Sequence, residues 1–202
     1  MKRHQYITVD LKSISATVHR CSGCATTDAC CCSKHEVCVS AREMKNIIGA
    51  LPMAAKLCPW LKDKNGFDNV FDETERGVFA IDTHENGLCV FAYHCDSGIR
   101  CSLHSVAGQM GISPHLLKPY ACTLWPLVLQ EPPDAILSIC PDAFQFPCNR
   151  ARKEKDNAIS PEILDSIEML LGKAACSHIL AAANKGLHST RAPLHGPLAG
   201  MH

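Results

Sequence analysis

Cys21-Ser22-Gly23-Cys24-Ala25-Thr26-Thr27-Asp28-Ala29-Cys30-Cys31-Cys32-Ser33-Lys34-His35-Glu36-Val37-Cys38 gathers six of the 14 cysteines of this 202-residue chain into one short stretch. Neighbouring cysteines such as Cys30, Cys31 and Cys32 make poor disulfides, because vicinal side chains point apart and a bridge needs Cα atoms about 5.5 Å from each other. Soft thiolates on one loop, opened by a Cys-x2-Cys pair, instead suit Zn²⁺ or an iron-sulfur cluster, since one segment can then supply several ligands. This stretch predicts an α+β fold: a small, irregular cysteine-rich domain with a short antiparallel sheet, several helices and one or more thiolate metal sites.

Outward from that loop the composition is ordinary. Nearly half the residues are hydrophobic, and 20 basic residues balance 20 acidic ones. A chain of this size has the material for a real core. With no basic field it is not expected to bind nucleic acid. The first ten residues, Met1 to Asp10, show two basic residues without an apolar stretch behind them, and no run approaches the roughly 18 apolar residues of a membrane span. The expectation is a cytoplasmic protein with no membrane partner. In a reducing compartment, clustered cysteines mean metal or redox chemistry before disulfides.

Ser40-Ala41-Arg42-Glu43 reads as a capping box that opens a helix with Met44, Ile47, Ile48 and Leu51 on its apolar stripe, ending at Pro52. Residues 69–82 carry Asp72 to Gly77 between two apolar pairs and predict a β-hairpin; Leu88 to Tyr93 reads as a further strand. Ser102 to Met110 predicts a short helix stopped by Gly111. Leu124 to Leu129 and Ala135 to Ile139 flank Glu131-Pro132-Pro133-Asp134 as strands about a loop. Ser160 and Pro161 open a helix with Ile163, Leu164, Ile167, Leu170 and Leu171, followed after Gly172 by a second through Ala183. The expected organisation is one domain over 1–186, its metal-site core at about 21–148 and its C-terminal helices at about 160–184, then a flexible tail over 187–202.

A second, more dispersed set of cysteines comprises Cys89, Cys95, Cys101, Cys122, Cys140 and Cys148. With the loop, the elements Gly87-Leu88-Cys89-Val90-Phe91, Cys101-Ser102-Leu103-His104, Lys118-Pro119-Tyr120-Ala121-Cys122-Thr123-Leu124-Trp125-Pro126 and Cys140-Pro141-Asp142 resemble the YkgJ-type cysteine-cluster family, whose members are described as zinc- or iron-chelating. The resemblance runs from about Cys21 to Cys148, and its strength lies in the order of the elements. Flagellin lysine methylases share the related cysteine pattern, which implies an iron-sulfur cluster there. Two departures stand out: Ala25 to Ala29 make a longer spacer than the family pattern has, and its cysteine pair has become the triplet Cys30 to Cys32. Which two of the three are ligands is open; the spacing downstream favours Cys31 and Cys32. Carried over residue by residue, the resemblance implies Cys21, Cys24, Cys31, Cys32, Cys89, Cys101, Cys122 and Cys140 as metal ligands.

Eight thiolates suit two four-coordinate sites or one larger cluster. A run of ligands plus distant cysteines leans toward an iron-sulfur cluster, of 4Fe-4S type, over zinc, whose structural modules use two compact knuckles. His35, His94 and His104 are alternative fourth ligands, with His104 foremost. Cys58 and Cys176 sit in apolar surroundings and read as core; Cys38 suits a strand or a ligand role equally. No nucleotide-binding, hydrolase or metalloprotease motif is present, nor the Cys-x3-Cys-x2-Cys signature of radical enzymes. Methyl transfer or oxidoreduction therefore rests on resemblance alone. The reading is a metal-binding protein with a redox or cluster-dependent role and an unidentified protein or redox partner. Its alternatives are a structural-zinc interaction module and a metal chaperone or sensor.

Overall fold

A computed structural model describes residues 6–21, 23–62, 70–130, 135–153 and 158–193. In chain order these begin with strand β1 (Tyr6–Val9), helix α1 (Leu11–Ser15) and strand β2 (Thr17–His19). Strand β3 (Cys38–Ser40), helix α2 (Ala41–Ala54), and strands β4 (Phe71–Glu75) and β5 (Val78–Ile81) follow the cysteine loop. Next come β6 (Ala92–Cys95), β7 (Gly98–Cys101), α3 (Ser102–Gln109) and α4 (Tyr120–Leu124). The chain continues through β8 (Leu127–Gln130), β9 (Ile136–Ile139) and β10 (Asn149–Ala151) to α5 (Pro161–Leu171), α6 (Lys173–Asn184) and β11 (Thr190–Pro193). The architecture is α+β, with helices and several small, mainly antiparallel sheets.

The chain divides into two compact units, residues 1–20 with 124–202, and residues 21–123. The expected single domain over 1–186 does not anticipate this division. The expected metal-site core over 21–148 runs past its edge, because β8 and β9 join a sheet with β1 rather than with the cysteine loop.

In the unit formed by the two ends of the chain, the sheet order is β11-β1-β9-β8. β1 pairs antiparallel with β11 and parallel with β9, so this sheet is mixed rather than purely antiparallel. Residues 187–193, expected in a flexible tail, contain instead the edge strand β11, with Ala192 fully buried opposite Ile7. Residues 194–202 of that expected tail lie outside the described residues. Asp10 caps α1 by accepting from the Ser13 amide (3.1 Å) and ties that cap to the sheet by accepting from the Ser138 hydroxyl (2.8 Å). The apolar stripe of α5, with Ile163, Ile167, Leu170 and Leu171 buried, packs against α6 as its period predicts. Leu124, expected to open β8, is instead the last residue of α4, and Pro126 stands between the two elements.

In the 21–123 unit, the sheet order is β3-β5-β4, and the hairpin expected within 69–82 is present as β4 and β5; residue 69 lies outside the described residues. The Ser40 capping box is formed: the Glu43 amide donates to Ser40 Oγ (3.3 Å) and the Ser40 amide to Glu43 Oε2 (2.8 Å). Pro52 does not end α2, which continues to Ala54; this close to a helix end a proline forgoes one backbone bond without breaking the helix. The strand expected over Leu88 to Tyr93 is shifted to β6. The Ala92 amide donates to the Cys89 carbonyl (2.8 Å), which turns the chain where an extended strand was expected and buries Leu88 and Phe91. β6 then pairs with β7, setting Ala92 opposite Cys101. The main core of this unit joins α2 and α3 through Ile47, Leu51, Ala54, Leu103 and Val106, with Phe91 beneath them. A second, smaller cluster consists of Cys24, Cys30, Leu88, Ala92 and Ile99, with Cys32 packed against it.

Candidate metal centre

The cysteine loop docks on its own unit through backbone hydrogen bonds. The Cys24 amide donates to the Ile99 carbonyl (3.0 Å) and the Ile99 amide to the Cys24 carbonyl (2.7 Å), so one residue of the Cys-x2-Cys pair is stitched to β7. At the other end of the loop, the Cys89 amide donates to the Cys32 carbonyl (2.8 Å). Glycine makes the first junction possible. Gly98 has φ +106°, and a Cβ there would stand 2.4 Å from the Cys24 carbonyl oxygen; Gly23, also at φ +106°, passes close to the carbonyls of Ser97 and Ile99. Two further ties bring in distant sequence. Glu43 accepts from the Tyr120 amide through Oε1 (2.7 Å), which holds the Lys118 to Cys122 segment against the start of α2. Lys118 Nζ donates to the Cys122 carbonyl (3.3 Å).

Within the loop, Cys24, Cys30 and Cys32 pack into one small knot beside Leu88, Ala92 and Ile99. Cys30 is only 1% exposed, and it is the largest influence on the titration of the Cys24, Cys31 and Cys32 thiols. Donation from Cys30 and Cys32 holds the Cys31 thiol far below its ordinary value, with the charges of Lys118 and His35 assisting. Cys24 is lowered by the bond from Cys30, and Cys30 itself is raised because it gives its proton to those neighbours. Ser33 Oγ donates to the carbonyls of Thr27 and Cys30 and closes the turn beneath the knot.

The sequence-distant thiols face the same charges. Burial pushes Cys89 up to about 12, with Cys101, Cys58 and Cys31 adding to the rise. Burial likewise raises Cys122, against the pull of Lys118 and with the thiols of Cys101, Cys89 and Cys31 adding to it. The Cys21 sulfur is raised by desolvation although the residue as a whole is exposed, and Lys118 draws it back down. Burial alone would lower Lys118; Cys101, Cys122, Cys21 and Cys31 more than offset that, so its ammonium is stabilised in the charged form.

Seven of the eight expected ligands, Cys21, Cys24, Cys31, Cys32, Cys89, Cys101 and Cys122, thus belong to the 21–123 unit and share one electrostatic neighbourhood. The eighth, Cys140, belongs to the other unit, where its amide donates to the Pro126 carbonyl (2.9 Å) at the start of a 3-10 turn. The sequence reading leaves open which two of Cys30, Cys31 and Cys32 are ligands and prefers Cys31 and Cys32; in the structure Cys30 is the most deeply buried of the three. The triplet itself was the signal for Cys30. Cys58 is buried as expected and raised to about 11 by its burial. Cys176 is buried in α6 and donates weakly to the Leu164 carbonyl (3.7 Å). Cys38 lies in β3. Of the candidate histidines, His35 acts on Cys31, whereas His94 and His104 are exposed. A polar cleft of about 360 Å³, lined by residues including Ser33, His35, Asp72, Asp82 and Gly87, opens beside the loop.

The donor chemistry fits a soft metal. Four sulfurs around a tetrahedral Zn²⁺ stand about 3.8 Å apart at Zn–S distances near 2.3 Å, comparable to a hydrogen-bonded pair of thiols. Among the described residues, however, no three Cys, His, Asp or Glu side chains already converge as a metal-holding group, so coordination requires the thiols to turn. Also among the described residues, no disulfide is formed, and no helix is long and apolar enough to cross a membrane. No family model, curated protein or solved structure matches the chain, so the resemblance to the YkgJ-type family stands on the cysteine pattern alone.

Proposed function

We propose that this protein binds metal through the thiols of its 21–123 unit, as an iron-sulfur cluster of 4Fe-4S type or as zinc, and that the metal supports a redox or cluster-dependent role. The observation that supports this reading is the packing of Cys24, Cys30 and Cys32 in one small buried cluster, with the Cys89 amide donating to the Cys32 carbonyl beside it. Sulfurs so close repel one another once ionised, and a cation that accepts several thiolates removes that cost. Cys21, Cys24, Cys31, Cys32, Cys89, Cys101 and Cys122 are the proposed ligands in this unit, with Cys30 a competitor for either of its neighbours. Bound iron-sulfur would supply one-electron chemistry; bound zinc would supply folding energy to the loop. The chain's own part is to shelter Cys24 and Cys30 from water and to hold the Lys118 ammonium against the Cys122 carbonyl. A cytoplasmic site and a protein or redox partner belong to the same proposal.

The test is purification under argon followed by iron, zinc and acid-labile sulfide analysis of one sample. Iron with matching sulfide supports the cluster and zinc without sulfide supports the structural or metal-handling alternative. A chain that carries neither, and takes up neither on reconstitution, refutes metal binding.

A further inference from the structure

The cysteines of the 21–123 unit fall into separate packing neighbourhoods. Cys58 is buried in the main core, with Cys89 and Cys101 packed against it. Cys24 and Cys30 are instead buried together in the small cluster with Leu88, Ala92 and Ile99. Only Ala25 to Ala29 separate the two in sequence, and a turn in which the Cys30 amide donates to the Thr27 carbonyl (3.1 Å) brings the chain back. Each end of this short loop is pinned through its backbone. Cys24 exchanges two bonds with Ile99, while the Cys30 carbonyl accepts from the Ser33 amide (3.1 Å) and hydroxyl (2.9 Å). Two thiols are thus confined together, whereas no three metal-binding side chains converge among the described residues. A disulfide is the bond that needs only two sulfurs, and a returning loop escapes the geometric bar on adjacent cysteines.

We propose that Cys24 and Cys30 form a reversible disulfide that takes Cys24 out of reach of a metal, with a hydroperoxide as the oxidant. Cys24 is the more exposed of the pair, at 7% against 1%, and is the thiol that meets the oxidant first. Its thiolate attacks one oxygen of hydrogen peroxide; the O–O bond breaks, hydroxide leaves and a sulfenic acid remains. The Cys30 thiolate then attacks that sulfur, so that the S–S bond forms, the S–O bond breaks and a second hydroxide leaves. The two thiol protons turn the two hydroxides into water, and the two electrons lost by the sulfurs are those gained by the peroxide. A dithiol reductant reverses the bond by exchange. The consequence for metal rests on the metal-binding reading above: only a thiolate coordinates, so the disulfide removes Cys24 from the ligand set.

The experiment treats the full-length wild type, stripped of metal under argon, with hydrogen peroxide, then alkylates it and digests it with trypsin and an Asp-N protease. Cleavage after Arg20, before Asp28 and after Lys34 separates residues 21–27 from residues 28–34, so a disulfide across the loop appears as their covalent union, and fragmentation assigns the sulfurs. The two peptides are expected to be joined through Cys24 and Cys30 after peroxide and separate after a dithiol, in the wild type and in Cys38→Ser alike, and to stay separate in Cys30→Ser. Peptides that remain separate in oxidised wild type whose circular dichroism is unchanged overturn the inference, as does a link that survives Cys30→Ser. Competition for Zn²⁺ with a chromogenic chelator then compares the two forms of the wild type: the oxidised one is expected to bind at least about tenfold more weakly, and equal affinity overturns the removal of Cys24 from the metal. A chain that forms the link but binds neither Zn²⁺ nor a cluster in either form refutes the proposed function and leaves the disulfide standing.

Discussion

The unit built from the two chain ends and the 21–123 unit use different means to hold a short loop in place. In the first, β11 returns to the edge of β1 and α5 and α6 bury continuous apolar stripes, so irregular segments hang from elements with large hydrophobic faces. In the second, the cysteine loop contributes few large apolar groups. It is fixed by a backbone exchange between Cys24 and Ile99, by a glycine contact at Gly98 and by a knot of sulfurs. A buried Ile or Leu contributes roughly 1.5–3 kcal/mol, whereas a small thiol in the same position contributes less area. The difference teaches where metal would matter: the sulfur-rich cluster holds only Leu88, Ala92 and Ile99 as buried apolar residues beside its cysteines.

The sharpest way to break this comparison is to remove one sulfur from each unit. Cys122→Ser is expected to lose bound metal, by roughly two orders of magnitude in affinity or more, together with soluble yield, whereas Cys176→Ser keeps both. Metal analysis and yield of the two variants check this, and equal metal loss in Cys176→Ser would refute the assignment of ligands. Next in size, Ile167→Ala removes a fully buried side chain from α5 and should cost about 2–5 kcal/mol in denaturant unfolding without altering metal content.

The glycine junction is tested by Gly98→Ala. The new Cβ meets the Cys24 carbonyl at 2.4 Å with the backbone already at positive φ, so a loss of about 1–3 kcal/mol is expected. Faster hydrogen exchange at the Cys24 and Ile99 amides should accompany it. Gly49→Ala is the matched control: it lies inside α2 with nothing near its would-be Cβ, and it should stabilise by about 0.5–1 kcal/mol. The smallest effect belongs to Asp10. Burial raises its carboxyl, but hydrogen bonds from Ser13 and Ser138 and the nearby backbone outweigh that, leaving it below its ordinary value. A depressed folded-state pKa adds stability above the ordinary carboxylate value and loses it as pH falls through the folded one. Asp10→Asn should therefore lower stability at neutral pH and lessen its fall in acid, as followed by thermal unfolding across pH.

Much of this molecule is written locally. Ser40 and Glu43 announce the start of α2 because a capping box is a contact three residues long. Pro161 and the apolar repeat after it announce α5 for the same kind of reason. The cysteine run from Cys21 to Cys38 announces a sulfur-rich loop without any knowledge of its neighbours. By contrast, the pairing of β1 with β11, the exchange between Cys24 and Ile99 and the bond from the Cys89 amide to the Cys32 carbonyl depend on backbone partners tens of residues away. No periodicity within those segments encodes them.

The sequence by itself therefore determined the α+β class, the principal helices, the main hairpin and the concentration of thiols in one loop, because propensity, capping and spacing act within a few residues. Only the tertiary structure decided that Cys24, Cys30 and Cys32 pack into one small cluster, that Lys118 Nζ reaches the Cys122 carbonyl, and that Cys140 belongs to the other unit. Those outcomes follow from which carbonyl finds which amide across the fold, and from charges that meet only once the chain has closed.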